Sequence, residues 1–279
     1  MIITEYAPNG TLAQLINEAR NSTNSNLDDT LKLIIICGIS SAMKFLHNNN
    51  IIHRDLKPDN ILLDKNWLPK IADFGFSKFN LRKTINDYIN SGAGIVKGTP
   101  IYMAPEVWCK SEYSKSSDVY SFGILVYEIM TLKKLYDGID VWSLGINVKN
   151  GERPDLNVNI PGAYKFLIQR CWDQKPENRP TFDQIFNELS TNKRYITKNI
   201  DEYQISEYIT DLNLFRIRFL PNDVISVRDA IEKTKKKNEE EFKPNQNAQK
   251  ECPRRCHPHH HYPPYWMWWH WAQKRRQMQ

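Results

Sequence analysis

Cysteine is scarce in this chain and does not pair up. The five residues Cys37, Cys109, Cys171, Cys252 and Cys256 are an odd number without framework spacing. That excludes a disulfide-stapled secreted scaffold and favours a reducing compartment, so a cytoplasmic location is expected. A signal peptide is missing from Met1-Ile2-Ile3-Thr4-Glu5, which lacks a basic start and a long apolar stretch. The longest apolar run, Leu31 to Leu46, is broken by Lys32, Lys44 and small polar residues, and no membrane span is expected from it. No internal repeat is present. Residues 1–190 carry as many acidic as basic side chains, so the whole net charge of +6 lies in residues 191–279. A basic excess confined to a tail reads as a solvated segment, and no specific nucleic-acid partner is expected.

Hydrophobic residues make up 41% of the chain, enough for a core. Asn26 followed by Asp29 reads as a helix start, and Leu33, Ile36, Cys37, Ser40, Met43 and Leu46 then recur at helical spacing. Ile61-Leu62-Leu63 and Lys70-Ile71-Ala72 are short β-prone runs separated by a turn at residues 65–69. Ser117-Asp118 opens a strongly apolar helix reaching Met130, and Thr181 with Gln184 has capping-box spacing for another. Apolar residues continue sparsely from Tyr195 to Leu220, enough for short docking helices. After Lys233 come a charge run, a Pro/Asn/Gln stretch and a cluster rich in His and Trp, which reads as a disordered tail. Cys252, Cys256 and the nearby histidines match no zinc-ligand spacing.

Three motifs stand in order between these elements: His53-Arg54-Asp55-Leu56-Lys57-Pro58-Asp59-Asn60, Asp73-Phe74-Gly75 and Ala104-Pro105-Glu106. Together they resemble the catalytic core of the protein kinases, over residues 1 to about 190. The resemblance implies a protein-kinase-like α+β fold, here a mainly α-helical C-terminal lobe with small β-hairpins. It also implies ATP and Mg2+ as cofactors and protein substrates as partners. On it, Asp55 orients the substrate hydroxyl and accepts its proton, Lys57 reaches the γ-phosphate, and Asn60 and Asp73 hold the metal. Thr99 bridges Asp55 and Lys57, and with Lys57-Pro58 it implies a serine/threonine acceptor. Residues 117–123, Cys171-Trp172 and Arg179-Pro180 are similar to the tyrosine-kinase-like branch of serine/threonine kinases. His53 and Phe74 become structural, Asp118 a holder of the loop backbone, and Glu106 with Arg179 a buried ion pair. Phosphate on Ser77, Thr84, Tyr88 or Ser91 would pair with Arg54. Gly92-Ala93-Gly94 has no strand–helix context and is not a nucleotide-binding loop.

Residues 1–12 resemble the last upper-lobe strand, the hinge and the start of the next helix. Thr4 is then the gatekeeper, the backbone of Glu5 and Ala7 faces adenine, and Leu62 lies beneath the ring. A glycine-rich loop, a strand lysine and a helix glutamate have no counterpart here. The chain is therefore expected to be a fragment of a longer kinase, negligibly active alone, with apolar surface exposed around Ile2, Ile3, Leu62 and Ala72. Expected boundaries are a partial catalytic domain at 1–190, a helical extension at 191–232 and the tail at 233–279. The alternative to an enzyme is a non-catalytic kinase-lobe binding module.

Overall fold

The structure, a computed structural model, describes residues 5–22, 25–79 and 98–218. The chain divides into two units, Met1–Glu239 and Glu240–Gln279, and the second lies wholly outside the described residues. So do Ile2, Ile3, Thr4, Thr84, Tyr88, Ser91 and Gly92-Ala93-Gly94.

The first half of the described chain comprises α1 (Leu12–Asn21), α2 (Asp29–Asn48), β1 (Ile51–Ile52), β2 (Ile61–Leu63), β3 (Pro69–Ile71) and β4 (Lys78–Phe79). The second half is helical: α3 (Pro105–Lys110), α4 (Lys115–Thr131), α5 (Val141–Lys149), α6 (Gly162–Cys171), α7 (Phe182–Thr191) and α8 (Glu202–Arg218). This is the mainly helical lobe with small β-hairpins that the sequence implies.

Two helices form its centre. In α2 the expected positions Leu33, Ile36, Cys37, Ser40, Met43 and Leu46 are all buried. Its cap is Asp28 and not Asn26: the Asp28 carboxylate accepts from Leu31 N at 2.7 Å, while the Asn26 carbonyl only accepts from Asp28 N. The helix is long and apolar enough to cross a membrane, and its burial within the lobe accounts for that character. In α4 every residue from Ser117 to Ile129 is buried, as an all-round apolar helix must be. It begins earlier than Ser117 because Ser114 and Ser117 exchange bonds in a capping box, placing Ser117 inside the first turn. The Thr181–Gln184 box opens α7 as expected. Phe182 then stacks edge-on against both His47 of α2 and Phe122 of α4, at 5.0 and 5.2 Å between ring centres.

β2 and β3 pair antiparallel, Ile61 opposite Ile71 and Leu63 opposite Pro69. The second strand starts one residue earlier than expected and stops before Ala72. Asp64 is the reason: its Oδ1 accepts from Asn66 N (2.8 Å) and Leu68 N (3.0 Å), closing the turn by Leu68. Pro69 then occupies the end of the ladder, where its missing N–H costs least. Asn9 N and Gly10 O bond Leu63, laying the chain before α1 alongside β2. β1 pairs with β4, Ile51 opposite Phe79. Asn60 and Asp73 therefore sit at neighbouring ends of one small hairpin.

Candidate active site

The loop after β1 is held from beneath by Asp118 of α4, which is 1% exposed. Its Oδ2 accepts from His53 N at 2.8 Å and its Oδ1 from Arg54 N at 2.9 Å. His47 Nε2 lies 2.9 Å from the same Oδ2. Arg54 is in the left-handed region at φ 72°, a conformation that costs on the order of 1–3 kcal/mol in a residue with a Cβ. Two charge-assisted bonds to Asp118 offset that strain and keep the turn in one shape. His53 is buried, and its Nδ1 accepts from Asp55 N at 3.3 Å. The ring proton is therefore on Nε2, 3.1 Å from Ala72 O, so the imidazole ties the loop to the strand leading into Asp73.

Asp55 is 5% exposed, and its carboxylate is surrounded by donors. Oδ1 accepts from Thr99 N (2.8 Å) and Thr99 Oγ1 (2.9 Å). Oδ2 faces Asn60 Nδ2 (3.0 Å) and Lys57 Nζ (3.2 Å). Lys57 Nζ also donates to Thr99 Oγ1 at 2.8 Å, so Thr99 touches both residues. Gly98 makes this closure possible: at φ 116° it takes a conformation that disfavours side chains, and an added Cβ would stand 2.9 Å from Arg54 O.

Both amide hydrogens of Asn60 are occupied, by Asp55 O at 2.7 Å and Asp55 Oδ2. Its side-chain oxygen is left as the free acceptor. Ala72 N donates to Asn60 O at 2.8 Å, which brings Asp73 next in line. Asp73 is exposed and left-handed at φ 58°, with Oδ1 accepting from Gly75 N at 3.1 Å. These two hard oxygen donors fit Mg2+, which binds through one or two carboxylates and takes its remaining ligands from phosphate and water. No group of three His, Cys, Asp or Glu that would form a dedicated cage occurs among the described residues.

The residues assigned to adenine are less fully placed. Glu5 is exposed and pairs with Lys70 at 3.2 Å, a surface contact worth little. Ala7 is half-buried, its carbonyl accepting from Gly10 N, and Leu62 is half-buried and bridged to Thr11. Thr4 lies outside the described residues. Ser77 is buried and its hydroxyl donates to Phe74 O at 2.7 Å, which removes it from the surface phosphate sites expected from the sequence.

Around this centre the expected ion pair is bidentate: Arg179 Nη1 and Nη2 meet Glu106 Oε1 and Oε2 at 2.7 and 2.9 Å. Arg54 stacks over Tyr113 at 4.9 Å, and its Nε is buried without a hydrogen bond. Burial lowers the Arg54 pKa, with the charges of Tyr113 and Asp118 opposing. Sequence reasoning missed a further network. Glu128 of α4 accepts from Arg20 Nη2 at 2.6 Å and from Tyr102 Oη at 2.5 Å. Burial, then the charge of Glu128 and the bond to it, push the Tyr102 phenol well above its ordinary range. Arg20 and Glu128 are 108 positions apart, and no local pattern announces such a pair.

Comparison with known proteins decides what this arrangement is. Residues 1–189 match the family model described as protein tyrosine and serine/threonine kinase. The chain belongs to the protein kinase family. Over 187 residues, 66% of the chain, it is 37% identical to RGS domain-containing serine/threonine-protein kinase A of Dictyostelium discoideum, covering 15% of that protein. It is 34% identical over 219 residues to the dual specificity protein kinase shkC of the same organism, 76% of the chain and 39% of that kinase. For the dual specificity kinase shkB the identity is 37% over 189 residues, covering 28% of the relative. The kinase chain thus spans well under two thirds of the length of these relatives.

Proposed function

We propose that the protein containing this chain transfers the γ-phosphoryl group of ATP to serine and threonine hydroxyls of protein substrates, with Mg2+. The observation that carries the reading is the Asp55 carboxylate, buried among Thr99, Lys57 and Asn60 and one hairpin away from the exposed Asp73. Phosphoryl transfer needs an in-line hydroxyl and neutralised phosphates more than covalent help from the protein.

Asp55 takes the substrate hydroxyl at Oδ2. Lys57 makes room there, because its 3.2 Å contact is the longest of the four while its Thr99 bond holds the ammonium nearby. Turned outward, that ammonium meets the γ-phosphate as the hydroxyl proton passes to Asp55. Asn60 and Asp73 would hold the Mg2+, which offsets phosphate charge when bound. Thr99 supports the serine/threonine assignment by its place between Asp55 and Lys57. Arg54, stacked on Tyr113 with Nε unpaired, is the receptor we assign to phosphate on Thr84, Tyr88 or Ser91. The buried free thiols of Cys37 and Cys171 support a reducing, cytoplasmic setting.

The test is phosphate transfer from ATP to serine, threonine and tyrosine peptides by the full-length protein and by Asp55→Asn. Loss of a general base costs about 10²–10⁴ in rate, so incorporation on serine and threonine falls at least that far in the variant. Equal incorporation by both proteins overturns the role of Asp55. Nucleotide-independent partner binding with no transfer by the wild type favours a binding module instead.

A further inference from the structure

Helix α8 lies beyond residue 189, where the kinase family match ends, yet it is built into the lobe. Asp201 caps it, its Oδ1 accepting from Tyr203 N and Gln204 N at 3.0 and 3.1 Å. The approach to the helix is pinned to the start of α2: Asp201 N donates to Thr30 Oγ1 (3.0 Å) and Asn199 Nδ2 to Asp29 Oδ2 (3.2 Å). Ile205 is buried, and Tyr208 and Ile209 pack on the same core, the i, i+3, i+4 pattern of a docking face. Tyr203 and Leu214 point to solvent.

The decisive contact is at Gly38. Glycine inside a helix costs about 1 kcal/mol relative to alanine, and a packing reason is expected where it persists. Here an added Cβ would collide with Tyr208 Oη and stand 2.5 Å from Pro69 Cγ. Two elements more than 130 positions apart in the chain, α8 and β3, therefore meet in the space of one absent methyl group on α2. Pro69 begins the strand that ends at Ile71, and the next residue, Ala72, whose N–H bonds Asn60 O, leads into Asp73. The Tyr208 phenol is raised in pKa by burial and then by electrostatic interaction with Cys37 and Asp64, the residue whose carboxylate closes the β2–β3 turn.

We infer that α8 is part of the catalytic apparatus: Tyr208, seated in the notch at Gly38, is a positioning residue that holds Pro69 and so the hairpin carrying Asn60 and Asp73. Residues up to 189 then make an incomplete lobe, and the functional unit reaches through α8. The role in catalysis rests on the phosphotransfer reading above; the mechanical role does not.

Hydrogen exchange on the full chain separates the two. In Tyr208→Ala, amides of 61–72 exchange about tenfold faster or more, along with those of 202–218, while 115–131 stays at the wild-type rate. Tyr208→Phe, which keeps the ring on the core and deletes only the hydroxyl at the notch, accelerates 61–72 less, by about threefold. If Tyr208→Ala does not fold, Tyr208→Leu is read by the same criteria. Faster exchange in α8 alone, or equal acceleration of 115–131, overturns the proposal. In a phosphotransfer assay of the full-length protein the same variant raises the Mg2+ concentration needed for half-maximal rate several-fold and leaves KM for the peptide unchanged. An unchanged Mg2+ requirement overturns the catalytic part, whereas a wild-type protein without transfer overturns the phosphotransfer reading and leaves the exchange result standing.

Discussion

Asp55 and Asp73 are both acidic and both lie at left-handed backbone, Arg54 just before the first and Asp73 itself, but they are held in opposite ways. Asp55 is buried and meets four donors. Asp73 is exposed, accepts one bond from Gly75 and owes its place to its own left-handed backbone and to the Ala72–Asn60 bond behind it. The first is preorganised by its neighbours, so its geometry exists before any substrate arrives. The second is an open ligand on the end of a hairpin, so its position is only as firm as the hairpin.

That contrast fixes an order of effects. The scaffold beneath both residues is the most sensitive. Arg179→Ala leaves Glu106 as a buried unpaired charge, which costs about 3–5 kcal/mol, and soluble expression should be lost. A well-folded variant with an unchanged melting temperature would refute the structural role of the pair. Next comes Asp55→Asn, which sets an amide –NH2 among donors and should lower stability by about 1–3 kcal/mol in denaturant titration. A neutral effect would mean that the four bonds around Asp55 are not formed together. Thr99→Val keeps the backbone bond to Asp55 but deletes the hydroxyl bridge to Lys57. About 0.5–1.5 kcal/mol is the expected loss, and Thr99→Ser should recover it. Smallest in stability is Asp73→Asn, within about 0.5 kcal/mol of wild type by melting, as for exposed sites generally. Its Mg2+-dependent phosphotransfer should nonetheless fall steeply, and a stability loss as large as that of Asp55→Asn would erase the distinction between the two carboxylates.

Much of this was readable in advance where the determinant is local. Thr181 and Gln184 announce the start of α7 because a capping box needs only four residues. The β2–β3 hairpin follows from two apolar runs and a polar turn, and its one-residue displacement comes from Asp64 bonding within that turn. The helix starts at Asp29 and Lys115 differ by a residue or two from what the sequence suggests because several polar side chains compete for each cap, and only the backbone path selects among them. Other contacts could not be read at all. His47 meets Asp118 across 71 positions, Arg20 meets Glu128 across 108, and Tyr208 enters a notch made by Gly38 and Pro69. Nothing in the spacing of those residues encodes their meeting.

By itself the sequence determined the family, the order of its functional groups and the residue types its chemistry requires, because each motif is a short run whose meaning lies in its neighbours. Only the tertiary structure decided which of those groups are held and which are open. It encloses Asp55 and leaves Asp73 at the surface, and it brings a helix from beyond the family match against α2, with Tyr208 at the notch where Pro69 of the hairpin also lies. The physical reason is that hydrogen-bond saturation and steric fit depend on distances between segments far apart in the chain, and those distances exist only once the core helices have packed.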